Sequence, residues 1–197
     1  SGYFTQSSTC RVCGVQYHLG GAQDTTELAE LAGVKEKDLV LDVCCFLGGP
    51  AVQLASTVRC QVVGIDINAR VIAAAQRIAH LTGLESLLHY SVADARQLPF
   101  ANEQFTVVWS QGSAAHDETW FTEFDRVLQP GGRLAITIAT NQPPEPWSLP
   151  DIVKRISARG YTIIHADDLT VRDIEIGWRA LDAKLTVREA EYLAALG

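Results

Sequence analysis

Residues 39–55 read LVLDVCCFLGGPAVQLA. An apolar run ends in Asp42, a short loop holds Gly48 and Gly49, and Pro50 stands where a helix would open. Proline suits the first turn of a helix, where its missing N–H would be unpaired anyway. Val52, Leu54, Ala55 and Val58 then supply an apolar stripe. Strand, glycine loop, helix is the way a nucleotide-type cofactor site begins in an α/β protein. Cys44, Cys45 and Phe46, however, occupy positions where such a loop usually exposes bare backbone.

Working outward, the same alternation recurs. A helix is expected near 24–33, with Asp24 and Glu27 at capping-box spacing and Gly33 as its stop. QVVGID (61–66) reads as a second strand ending in an acid, and Asn68 caps a long helix that Gly83 closes. Further strands are expected over 87–92, 105–109, 133–139 and 161–166. Helices are expected over 119–128 and near 150–159, and the last 20 or so residues read as helical. Strands that are nearly continuous apolar runs, alternating with helices, predict a doubly wound α/β fold: a mostly parallel sheet covered on both faces. The chain divides into an N-terminal loop or cap (1–22), an α/β domain (23–170) and a C-terminal helical segment (171–197). Ligands of such sheets bind at the carboxyl ends of the strands. Asp42, Asp66, Asp94, Ser110 and Gln111 should therefore converge on one crevice.

The 197 residues suffice for one well-buried domain, and 47% apolar with 20% charged residues fits a globular protein. No apolar run approaches the roughly 18 residues of a membrane span, so no membrane partner is expected. Residues 1–10 are polar and lack the basic start of a secretory signal. A net charge of −7 disfavours nucleic acid and favours a small-molecule partner. Five cysteines without a framework suggest a reducing, cytoplasmic compartment. Cys10 and Cys13 form a C-x-x-C, but no second ligand pair follows, so no metal site is expected. A homo-oligomer remains open.

Asp66 lies 20 or so residues after the loop, where a carboxylate can accept from both hydroxyls of a ribose. Asp94 could accept from an exocyclic amine, and the helix start at Pro50 offers N–H groups to an anion. LDVCCFLGGPA, VVGIDIN, VADARQLPF, FTVVWSQGS and RVLQPGGRL together resemble class I S-adenosylmethionine (SAM) methyltransferases, over roughly residues 17–170. YHLGG, GGPA and WSQ look like the branch that methylates small amines, such as sarcosine and dimethylglycine. The resemblance implies a Rossmann-like methyltransferase fold and SAM as cofactor. It implies that Asp66 holds ribose, that Asp94 holds the adenine amine and that the glycine loop holds the methionine end, with Asp42, Cys44, Gly48, Gly49, Ile67 and Ala95 among the cofactor-binding residues. Ser110 and Gln111 would lie beside the methyl donor, with Tyr17 and His18 covering it from the N-terminal side. The family's seventh, antiparallel strand finds no counterpart after residue 170, so an open sheet position is expected.

Methyl transfer to a protonated amine, hydroxyl or thiol needs a base, and His116, after the fourth strand, is the candidate; an exposed loop histidine is the competing reading. Trp147, in a Pro-rich loop, is the best aromatic wall for a methylammonium group, with Trp109, Trp120 and Trp178 as further candidates or core residues. Two departures matter. The family has glycine at positions 44, 46 and 48, and this chain keeps it at 48 alone. Phe46 either fills space that the cofactor would use or turns into an apolar pocket and leaves the backbone contacts intact. The alternative function is accordingly a non-catalytic, degenerate methyltransferase-fold protein that binds a ligand or partner. A nicotinamide-dependent reductase is disfavoured, because no G-x-G-x-x-G follows the first strand.

Overall fold

β-branched residues crowd the first two strands, and their side chains leave both faces of a sheet buried. The computed structural model describes residues 16, 18, 20–113, 118–138 and 148–172, with single positions 175, 179, 182, 183, 186 and 194. Among these, β1 (Leu39–Val43), β2 (Gln61–Asp66), β3 (Leu88–Val92), β4 (Phe105–Ser113) and β5 (Leu128–Ile138) form one sheet in the order β3-β2-β1-β4-β5. Every pairing is parallel. The order reverses between β1 and β4, which makes their carboxyl ends the switch point of the sheet. Val40, Leu41, Val62, Val107, Val108 and Trp109 are fully buried at its centre.

The helices α1 (Gly21–Leu31), α2 (Gly49–Thr57), α3 (Ala69–Thr82), α4 (Glu118–Val127) and α5 (Leu149–Ala158) fall where the apolar stripes place them, within a few residues. Asn68 accepts from Arg70 N at the start of α3, and Gly83 ends it in the left-handed region. Helix α1 starts three residues before the expected position, so Asp24 lies in its first turn rather than at its cap. Ser148 and Asp151 form a reciprocal capping box at α5. Strand β4 runs four residues beyond the expected end, past a register shift between Gln111 and Ser113. In β5 the ladder starts at Leu128, breaks while Gln129–Gly132 loop out, and resumes at Arg133.

The expected sixth strand over 161–166 does not form: residues 161–169 carry no ladder, and Ile164 is 83% exposed. Ile163 and Ile164 favour extended backbone, but with Ile164 exposed the segment has no second face to bury against a neighbouring strand. No seventh strand occurs among the described residues. Most of the C-terminal segment expected to be helical, 173–197 apart from six single positions, lies outside the described residues. The chain separates into two compact units, 22–140 and the joined termini 1–21 with 141–197. Among the described residues no helix is long and apolar enough to cross a membrane.

Candidate cofactor cleft

The loop between β1 and α2 keeps a left-handed path at three alternate positions: Cys44 (φ 59°), Phe46 (φ 48°) and Gly48 (φ 76°). Glycine visits that region without penalty, whereas a side chain there costs about 1–2 kcal/mol. Cys44 and Phe46 thus hold a conformation that glycine adopts more readily. Hydrogen bonds hold the path in place. Cys45 N donates to Ile65 O (2.9 Å), Gly48 N to Cys45 O (2.8 Å) and Phe46 N to Asp66 Oδ2 (3.2 Å). Phe46 is 37% exposed and is not among the residues that line the adjacent cleft.

That cleft, of about 240 Å³, is lined by Cys44, Asp66, Ile67, Asp94, Arg96 and Trp120, with Ile65, Ala93 and Ala95 completing it. Complete small-ligand pockets run to ~300–1,000 Å³, so this one suits part of a ligand. Asp66 is fixed at both oxygens, Oδ2 by Phe46 N and Oδ1 by Asn68 N at 2.9 Å. The aliphatic side chain of Ile67, next in the chain, is 68% exposed, while Ala95 is buried. Asp94 is engaged by Arg96: its backbone N bonds Oδ1 (2.9 Å) and its guanidinium reaches Oδ2 at 2.7 Å. These bonds hold the Asp94 carboxyl below the usual range. Arg96 stood in the quoted VADARQLPF segment, and its i+2 spacing from the acid was the signal for the pair.

Asp42 is buried beneath the loop, and its Oδ2 has no protein partner among the described residues. Burial, and then the negative charge of Asp66, pushes its carboxyl up to about 8. Burial and the neighbouring acids Asp66, Asp42 and Asp94 push the Cys44 thiol up to about 12, and burial with the charges of Asp42 and Asp66 raises Cys45. A thiol so disfavoured as thiolate is no nucleophile at neutral pH.

At the carboxyl end of β4, Ser110 is fully buried and bonds Ser113, and Gln111 Oε1 accepts from Thr25 Oγ1 (3.0 Å) on α1. Gln53 Nε2 ties α2 to the same helix through Ala22 O and Thr26 Oγ1, both at 2.8 Å. No sequence signal pointed to Thr25, which is 86 residues from Gln111. Trp109 is core, whereas Trp120 lines the cleft and meets Phe124 edge-on with ring centroids 6.5 Å apart. His18 belongs to the unit of joined termini, where its Nε2 bonds Gln16 Oε1 at 2.9 Å. Burial lowers its imidazole to about 4. Tyr17, His116, Trp147 and Trp178 lie outside the described residues, as do Cys10 and Cys13. Among the described residues no cluster of three or more His, Cys, Asp or Glu could hold a metal ion.

The structure thus brings Cys44, Asp66, Ile67, Asp94 and Ala95 to one cleft, with Gly48 and Gly49 in the adjoining loop and helix start. An orphaned buried carboxyl oxygen, two acids at the cleft and an exposed aliphatic beside one of them fit an adenosyl group carrying an amino-acid end.

Residues 40–132 match the family described as a methyltransferase domain. Phosphoethanolamine N-methyltransferase 3 of Arabidopsis thaliana is 31% identical over 147 residues, covering 73% of this chain and 29% of its own length. Haemonchus contortus phosphoethanolamine N-methyltransferase 2, solved in complex with S-adenosyl-L-methionine, superposes with a TM-score of 0.78 at 23% identity, over 90% of this chain and 45% of that one. The [4+2]-cyclase SpnF superposes at 0.74 and 23% identity, over 84% and 66% of the two chains. At such identity the likeness concerns the fold, and one fold here serves differently named activities. This chain spans about half or less of the curated relatives it matches, 29% of the Arabidopsis protein and 52% of the Kluyveromyces lactis sterol 24-C-methyltransferase.

Proposed function

Because residues 40–132 belong to the methyltransferase domain family, we propose that this protein transfers a methyl group from SAM to a small-molecule acceptor, an amine first among them. The observation that carries the reading is the loop of residues 44–48. It keeps the left-handed path of a glycine loop beside two cleft carboxylates, although Cys44 and Phe46 oppose that path.

When bound, SAM supplies an electrophilic methyl group on a sulfonium sulfur. The chain's own residues would bind and orient. Asp66, held rigid by two backbone amides, accepts from ribose hydroxyls, with Ile67 covering the base. Asp94 and Ala95 take the adenine edge, which requires Arg96 to share or release the Asp94 carboxylate. The start of α2 offers the backbone N–H groups of Gly49 and Ala51 to a carboxylate, and Asp42, whose carboxyl burial holds largely protonated near neutral pH, offers an acceptor oxygen to an ammonium. Ser110 and Gln111 flank the methyl end, and Gln111 is oriented by Thr25. His18 and Tyr17 are assigned to the cover, Trp147 to a wall for the acceptor, and His116 to removal of the acceptor's proton. Alignment and exclusion of water would supply most of the acceleration. The net charge of −7 supports a small-molecule partner rather than nucleic acid, and the free thiols Cys44, Cys45 and Cys60 support a reducing cytoplasm.

Calorimetry with SAM and S-adenosylhomocysteine (SAH), followed by methyl transfer to a panel of small amines, tests this. Micromolar binding with turnover is expected. Binding without turnover on any acceptor class supports the second reading, a non-catalytic ligand binder, which the Arg96 bond to Asp94 favours. No binding of either compound overturns the SAM reading and leaves the non-catalytic one, a binder of another ligand or partner.

A further inference from the structure

Across β4, β1, β2 and β3, the residues Trp109, Asp42, Gly64 and Tyr90 stand in one row of the ladder. Register partners in a parallel sheet send their side chains to the same face. Gly64 sends none, and the Tyr90 ring lies over it. A Cβ at position 64 would come within 2.5 Å of Tyr90 Cδ1 and Cε1 and within 3.1 Å of Cys45 Sγ. The same ring reaches the loop: a Cβ at Gly48 would overlap the Tyr90 hydroxyl and lie 2.8 Å from Cζ. Tyr90 is buried, at 8% exposure, and its hydroxyl has no protein hydrogen-bond partner among the described residues. Its hold on Gly48 is therefore steric.

One rigid ring thus lies against Gly48, with Cys45 Sγ beside the same bare position 64, in the turn whose residues 44 and 46 are strained. The hydrogen bonds of the turn run to β2 and within the turn itself, through Ile65 O, Asp66 Oδ2 and Cys45 O. The prop from β3 is separate from all of them. A strained conformation persists where its surroundings over-determine it, and the ring is a rigid constraint at the closing residue of this turn.

We propose that Tyr90 is a positioning residue for the cofactor loop: seated over Gly64, its ring holds residues 44–48 on the left-handed path that Cys44 and Phe46 would otherwise leave. The proposal rests on the reading of this loop as the SAM site, and its test separates the two. Amide hydrogen exchange over residues 44–49 is measured without ligand, and SAH affinity by calorimetry. Both are measured for the unaltered protein, Tyr90→Phe, Tyr90→Leu and Tyr90→Met, each also in a Cys44→Gly/Phe46→Gly background. Tyr90→Leu and Tyr90→Met should speed exchange in the turn and weaken SAH binding, each about tenfold, with β4 and β5 amides unchanged. Tyr90→Phe, which keeps the ring, should stay within about threefold. In the double-glycine background the tenfold losses should shrink to about threefold or less, because glycine needs no prop. Equal losses in both backgrounds, or turn amides that do not respond, would make Tyr90 ordinary core and overturn the proposal. If the unaltered protein binds no SAH, the functional reading fails while the exchange cycle still decides the role of Tyr90.

Discussion

Asp42 carries a consequence for stability. Its carboxyl titrates near 8 in the folded protein, raised first by burial and then by Asp66, against about 4 in an unfolded chain. A group with a raised folded value contributes stability that is fully present below the unfolded value and lost as pH rises through the folded one. Urea unfolding should therefore show a stability that declines from about pH 5 to about pH 8, by an amount on the order of a few kcal/mol. Asp42→Asn should flatten that slope; an unchanged slope would assign the titration elsewhere. At this scale the sequence marked Asp42, Asp66 and Asp94 as strand-end acids, because acid after an apolar run is a local pattern. It also marked positions 44 and 46 as departures from glycine. It left Tyr90 unmarked, although Gly64 inside a central strand was a usable sign of close approach. The Asp94–Arg96 pair was readable in principle from the i+2 spacing. Which cleft the side chains face depends on register, which one strand alone does not disclose.

Arg133 joins three elements at the other edge of the sheet. From β5 it donates to the carbonyls of Ala32 and Gly33 just past α1, and pairs with Asp38 just before β1. Asp38 is 4% exposed; burial raises its carboxyl, but the bonds from Arg133, Lys35 N and Thr106 outweigh that and hold it below the usual range. Removing one partner of such a pair leaves a buried charge, so Arg133→Met should lower unfolding stability by about 3 kcal/mol. Arg133→Met/Asp38→Asn should recover part of the loss. An additive double variant in urea unfolding would deny the pairing. Since its folded value is depressed, Asp38 contributes stability above about pH 4 that is lost as pH falls through the folded value. Elements were the most legible level of this protein. Strands β1 and β2, the caps Asn68 and Gly83, and Pro50 at the start of α2 all follow from local periodicity and capping chemistry. The ties between elements were not legible, because Arg133 and Asp38 stand 95 residues apart and no periodic signal links them. The failed strand over 161–166 has the complementary cause: an apolar run specifies a strand only where a neighbour and a core receive it.

For the molecule as a whole, charge is the property that acts at a distance. The net charge of −7 and the acids at the cleft create a field that favours cations. SAM, a net cation, should associate more slowly as salt rises from about 10 mM to about 500 mM, because the Debye length shrinks from roughly 30 Å to a few ångströms. Neutral SAH should respond weakly, and stopped-flow association of the two ligands compares them directly; equal salt slopes would show that the field does not steer this ligand. The parallel sheet with helices between its strands is where the fold came through from sequence, whereas its order, β3-β2-β1-β4-β5, is read from the structure. The cross-strand row of Trp109, Asp42, Gly64 and Tyr90 also constrains how such a chain can change through descent. A side chain at position 64 is admissible after position 90 has given up its ring, and the reverse order passes through a clash. Lineages carrying this fold would thus exchange the two residues in a set sequence of steps, with the smaller residue arriving at 90 first.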